Sequence, residues 1–223
     1  MTLDEVVEVT MEIEPTTKED KISKLVNTST TEDLPGIMHN LASTYSALGM
    51  NDKALEMKEA TLAMRRRILP EDHPSIASSM GNLAITYRDL GMKDKALEME
   101  EATLAMFRRI LPEDHPDIAS SMNNIARTYL DLGMNDKALE INEATLSMRR
   151  RILPEDHPSI AESMGNLAST YSDLGMNDKA LEMKEATLAM FRRILPEDHP
   201  HIASSMNNLA STYSDLGMNG KAL

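Results

Sequence analysis

The stretch His73-Pro74-Ser75-Ile76-Ala77-Ser78-Ser79-Met80-Gly81-Asn82-Leu83-Ala84-Ile85-Thr86-Tyr87-Arg88-Asp89-Leu90-Gly91-Met92 decides the fold. Ile76, Met80, Leu83, Ala84, Tyr87 and Leu90 recur at spacings of three and four, which puts them on one stripe of a helix. Pro74 suits a first helical turn, where its missing N–H is not needed, and Asp72 or His73 can cap it. Gly91 supplies the left-handed residue that ends a helix, and Met92 stands where the accompanying apolar contact falls. A second helix is expected from about Asp94, with Ala96, Leu97, Met99, Ala102, Leu104 and Ile110 on its apolar side. Arg108 and Arg109 fall in its last turn, favourable against the negative end of the helix dipole, before Leu111-Pro112 stops it.

Working outward, the same unit returns. Leu-Pro-Glu-Asp-His-Pro begins at Leu69, Leu111, Leu153 and Leu195, every 42 residues. Tyr45, Tyr87, Tyr129, Tyr171 and Tyr213 keep that interval, as do Gly49, Gly91, Gly133, Gly175 and Gly217. Residues 75–116 and 159–200 differ only at the positions of 78, 85, 88, 93 and 100. A lone two-helix hairpin cannot bury its apolar face, whereas stacked neighbours can. The expected architecture is an all-α, right-handed α-solenoid of helix-turn-helix repeats over 31–223. Its complete hairpins are 31–70, 73–112, 115–154 and 157–196, followed by a fifth first helix, 201–216.

Met80-x2-Leu83-Ala84-x2-Tyr87, with Gly91, Ala96 and Pro112, resembles the tetratricopeptide pattern. Met stands for its Trp, Ala for its first Gly, and Glu100 where the second helix usually carries an aromatic. The period exceeds the usual one of about 34 residues. That longer unit, with Asn82-Leu83-Ala84 and the Asp72-His73-Pro74 linker, is similar to the repeats of kinesin light chains. The resemblance covers 31–223. It implies a protein-binding groove lined mainly by the first helix of each pair, and no catalysis.

Composition narrows the partners. The 223 residues carry a net charge of −13, which repels phosphate backbones and anionic lipid, so neither nucleic acid nor a membrane surface is an expected partner. There is no Cys, which excludes disulfides and thiolate chemistry. No apolar run approaches the roughly 18 residues of a membrane span. The first 14 residues hold five acids and no base, the reverse of a signal peptide, which points to the cytoplasm. Within them Val7, Val9, Met11 and Ile13 alternate with Glu8, Thr10, Glu12 and Glu14, a strand-like pattern. Residues 1–30 are thus expected to form an acidic tail, free or pairing as a strand with something else, with a short degenerate helix over 18–26 capping the first repeat.

Catalytic and cofactor chemistry finds no residues. There is no Gly-rich phosphate loop. His73, His115, His157 and His199 recur one per unit, which stacking separates by about 10 Å. Zinc needs its ligands near 2.1 Å from one centre, so these histidines are expected as caps, and neither metal nor cofactor is expected. The methionines, 19 in all, sit at core spacing and are expected as gap-fillers.

The copies differ chiefly at positions equivalent to 75, 78, 81, 85 and 88, on one face opposite the core stripe. Both free drift of solvent positions and tuning of a groove give such a pattern. In the resemblance that face lines the concave groove, and the invariant Asn40, Asn82, Asn124, Asn166 and Asn208 beside it clamp the backbone of a bound segment. Ile85 and Leu130 are its variable apolar positions. Arg88 and Arg127 are its expected bases, with Asp89, Asp131 and Asp173 alongside. Kinesin light chain grooves accept acidic peptides around a Trp, and two bases among several acids depart from such a lining. Residues 1–30 are also too short for the heptad coiled coil of those subunits.

The leading expectation is a non-catalytic scaffold that binds a peptide or helical segment in the groove. The alternatives are a cargo adaptor resembling kinesin light chain and the sensor array of a larger signalling NTPase. Helix 201–216 presents Ile202, Met206, Leu209, Ala210 and Tyr213 with almost no chain left to cover them. A truncated array with an uncapped end and weak self-association is therefore expected.

Overall fold

The computed structural model describes residues 34–218. The expected tail, its capping helix and residues 219–223 lie outside the described residues. Those described are helices joined by tight turns, and they fall into two compact units that meet in sequence at Ile110 and Leu111. The first holds α1 (Leu34–Ala47), α2 (Asn51–Ile68), α3 (Pro74–Asp89) and α4 (Lys93–Ile110). The second holds α5 (Pro116–Asp131), α6 (Asn135–Ile152), α7 (Pro158–Asp173), α8 (Asn177–Ile194) and α9 (Pro200–Asp215). Odd-numbered helices are the first members of their hairpins and even-numbered ones the second.

The punctuation is physical. His73, His115, His157 and His199 are the N-caps of α3, α5, α7 and α9. Each Nδ1 accepts from the backbone N–H two residues on, at 3.1 Å. At the other end Gly91 has φ +76°. Its N–H donates to the Arg88 carbonyl (2.9 Å) and that of Met92 to the Tyr87 carbonyl (2.8 Å), a Schellman closure. The apolar contact expected of the Met92 side chain is not the lock, since Met92 is an exposed residue. The backbone closes this turn.

Within unit 1, α1 packs on α2, α2 on α3 and α3 on α4; within unit 2 the same order runs from α5 to α9. Helix α3 buries Ile76, Met80, Leu83, Ala84 and Tyr87 of its expected stripe, with Ala77 beside them, while Leu90 is half-buried. The second helices differ from expectation. In α4 the buried set is Ala96, Glu100, Thr103, Leu104, Met106 and Phe107, while Ala102 is exposed and Met99 half-buried. The stripe is rotated relative to the expected one, with Glu100, Thr103 and Phe107 turned inward. Its polar members satisfy themselves locally, as Thr103 Oγ1 does by donating to the Met99 carbonyl (2.7 Å).

Neighbouring hairpins are tied by their tyrosines. The Tyr87 hydroxyl donates to Glu59 of α2 (2.6 Å) and Tyr171 to Glu143 of α6 (3.0 Å). Lys95 and Lys179 lie over the rings of Tyr87 and Tyr171, at 5.6 and 5.4 Å. Exposed pairs between Arg109 and Asp72, and between Arg151 and Asp114, add little stability.

Helix α9 departs from the expected wet face. Ile202, Leu209 and Tyr213 are buried in the core of unit 2, because α8 already covers that side. Ala210 is half-buried. Met206 alone of the five is exposed, at 46 % against 7 % for Met164 one repeat earlier.

Candidate binding face

The expected groove residues occupy the outward face of the first helices and the floor between them. In unit 1, Asn40 and Asp89 are exposed, and Asn82 and Ile85 are half-buried. Arg88 corrects the expectation. It is buried, and its Nη1 lies 3.1 Å from Oε1 of Glu100, which is itself 2 % exposed. In the last turn of α3 this position turns toward α4, so Arg88 is an interior group rather than a groove base.

The cations on this face come from residues the sequence reading passed over. Lys58 Nζ donates to Thr86 Oγ1 at 2.6 Å, and Arg65 Nη1 to the Ser75 carbonyl (3.1 Å) and Ser79 Oγ (2.6 Å). Burial lowers the pKa of Lys58, partly offset by Asp89, and burial lowers that of Arg65. His39 is held below its ordinary value by burial first, then by the charges of Arg65 and Lys58.

Unit 2 repeats the plan with other residues. Arg127, Asp131 and Asp173 are exposed, while Asn124 and Leu130 are half-buried. Asn166 Nδ2 donates to Asn123 Oδ1 (2.5 Å), linking the faces of α7 and α5. Asn142 Nδ2 donates to Thr170 Oγ1 (2.9 Å). Lys184 Nζ bridges Ser172 Oγ (3.0 Å) and Thr212 Oγ1 (2.7 Å). Burial lowers the Lys184 pKa against the opposing pull of Asp215 and Asp173. Arg149 donates to the Ser159 carbonyl (2.7 Å) and Ser163 Oγ (2.9 Å), whereas Phe191 at the equivalent place stacks on His201 with ring centroids 5.3 Å apart. A cavity of about 270 Å³ opens between α7 and α9 over α8, with Asn166, Asn208, Lys184 and Phe191 among its walls.

A signal for the missed pairing was present in the sequence. Positions 88 and 100 are both among the few at which two of the copies differ, and they change together: Arg with Glu at 88 and 100, Ser with Lys at 172 and 184. Chemically the face offers amides, hydroxyls and ammonium groups, which suit a peptide backbone and its polar side chains. No helix among the described residues is long and apolar enough to cross a membrane.

Comparison with known proteins agrees with the geometry. The tetratricopeptide repeat model matches residues 33–109, 101–151, 117–193 and 159–223. A crystal structure from Podosopora anserina, of nearly identical TPR-like repeats designated kinesin light chain, is 30% identical with TM-score 0.72. The match covers 83% of this chain and 88% of that one. BtubC (BKLC) from P. vanneervenii is similar in fold, at TM-score 0.80 and 22% identity over 93% of this chain and 87% of its own. A Rap protein complexed with competence and sporulation factor shares the fold at TM-score 0.73 and 15% identity, over 97% of this chain and 58% of that chain. No curated protein sequence matches the chain. Repeat period, turn chemistry and these likenesses converge: the chain belongs to the tetratricopeptide repeat family, in its kinesin light chain-like form.

Proposed function

We propose that the protein is a non-catalytic cytoplasmic scaffold that binds a peptide or helical segment of a partner protein on its first-helix face. The observation that carries this reading is the cavity between α7 and α9. There Asn166 and Asn208, one repeat apart, flank a floor bearing the half-buried Lys184. Amides at that interval bond a backbone, and a partly desolvated ammonium selects among side chains. The Rap complex with competence and sporulation factor supports a ligand-binding role for this fold.

The test is selection of peptides from a display library on the whole chain, followed by titration. Asn166→Ala with Asn208→Ala is expected to weaken the selected peptide about tenfold, from the loss of one or two hydrogen bonds, with the helical signal unchanged. Equal affinity for the variant would move binding off this face. The likeness to the Podosopora anserina repeats favours a cargo-adaptor role as second reading. Capture of a motor heavy chain by the intact protein would favour it. We also propose that the exposed Met206 end supports weak self-association, which sedimentation over a concentration series would reveal.

A further inference from the structure

The cavity between α7 and α9 lacks a group that the equivalent places elsewhere in the chain contain. Arg65 in unit 1 and Arg149 in unit 2 each lie against the following first helix. Nη1 of each donates to a carbonyl, that of Ser75 or Ser159, and to a hydroxyl, that of Ser79 or Ser163. One repeat after Arg149 the residue is Phe191, and one repeat after Ser159 and Ser163 stand His201 and Ser205. The carbonyl and hydroxyl recur, but this position no longer supplies them a guanidinium. Arg192, the next residue, turns to the Met206 sulfur instead (3.6 Å), and Arg193 pairs with Asp156. At the vacated place is the cavity of about 270 Å³, with Phe191, His201, Ser205 and Glu162 in its walls.

These walls suit a guanidinium. The rings of Phe191 and His201 are stacked, with centroids 5.3 Å and planes 14° apart, and a planar delocalised cation stacks on such a surface. Glu162 stands where α3, α5 and α9 carry Ser78, Ser120 and Ser204, so a carboxylate enters at this one copy. Its Oε2 is 3.8 Å from Arg149 Nη1, beyond hydrogen-bond reach, which leaves the carboxylate able to accept from a second cation. Lys184, the ammonium of the cavity, is seven residues from Phe191, about 10 Å along α8. It is tied to Ser172 and Thr212 and faces Asp173 and Asp215. In a chain of net charge −13, a basic ligand has the complementary sign.

We propose that the Phe191 end of this cavity takes an arginine side chain of the partner segment. The bound arginine occupies the place that Arg149 holds one repeat earlier: it stacks on the Phe191–His201 wall, donates to Ser205 Oγ and pairs with Glu162. The inference rests on the proposed peptide-binding reading of this face and adds the side chain that it selects.

The probe is the blocked tripeptide acetyl-Gly-Arg-Gly-amide, titrated into the full chain and followed by NMR at the amides of His201 and Ser205. A saturable shift is expected. Binding should be at least about tenfold weaker for the citrulline counterpart, which keeps the plane without the charge, and for the lysine counterpart, which keeps the charge without the plane. Glu162→Gln should weaken the arginine peptide about tenfold. Phe191→Arg should abolish its binding, because it installs the internal guanidinium seen at Arg149, while circular dichroism checks that the helices persist. Absence of a saturable shift overturns the proposal, as does equal binding of either counterpart or indifference to both variants. The two readings fail separately. A library-selected peptide that weakens with Asn166→Ala and Asn208→Ala, yet binds Phe191→Arg unchanged, overturns the arginine assignment and leaves the binding face standing. Selected peptides indifferent to the asparagines and to Phe191→Arg overturn both.

Discussion

Arg88 and Glu100 form a buried ion pair, and removing Glu100 takes the carboxylate away from a buried guanidinium. Glu100→Ala is expected to cost about 3–5 kcal/mol in a urea titration. Arg88→Ser with Glu100→Lys installs the combination of Ser172 and Lys184, and should recover most of that loss. A double variant no better than the single one would refute the pairing. Gly133 gives a cleaner backbone test. Its φ is +71°, and an added Cβ would meet no atom within 4 Å, so substitution acts through conformation alone. Gly133→Val should therefore destabilise by about 1–2 kcal/mol. Tyr87 titrates abnormally: burial, then its hydrogen bond to Glu59 and that carboxylate's charge, push its pKa up to about 12. Between the unfolded value near 10 and that folded value, the unfolded chain loses a proton that the native state keeps. The stability from this group is complete below pH ~10 and is lost as pH rises toward 12. Absorbance titration should show Tyr87 ionising late, and Glu59→Gln should bring it earlier.

Helices α7 and α9 are nearly the same sequence in different surroundings, which makes them a controlled pair. Met164→Glu puts a charge into a core site and should cost several kcal/mol. Met206→Glu, at a 46 % exposed site, should change stability by less than about 0.5 kcal/mol. Hydrogen exchange should show α9 opening more readily than α7, since stability is lowest where fewest neighbours pack. Equal exchange rates would count against an open end at Met206. At this scale the sequence was highly legible. Pro74, His73 and Gly91 state where a helix begins and ends through local geometry, and that chemistry needs no tertiary knowledge. The second-helix stripe was less legible. Glu100 is charged, and single-residue reasoning places it outside; only its partner in another helix makes the burial tolerable. The same limit hid Lys58, Arg65 and Lys184, whose long stems lie inside while their head groups find hydroxyls on neighbouring first helices.

The whole chain is built on a longer beat than its hairpins. Second helices carry Arg65, Phe107, Arg149 and Phe191 in turn, and the first helices that follow carry Gly81, Asn123, Gly165 and Asn207. Arg65 and Arg149 each bond the next first helix through a carbonyl and a serine, whereas Phe191 stacks on His201. Circular dichroism should report a predominantly helical protein, because every unit has the same two-helix plan; a strong strand signal would be incompatible with the array. The alternation also bears on heredity. Near-identical tandem copies invite slippage and unequal exchange during replication of their coding DNA. Gain or loss of 84 residues would return each hairpin to a neighbour of the type it already has. A step of 42 would set an Arg-bearing helix against a partner suited to Phe. Length variants of this array in a population should therefore come predominantly in even numbers of hairpins.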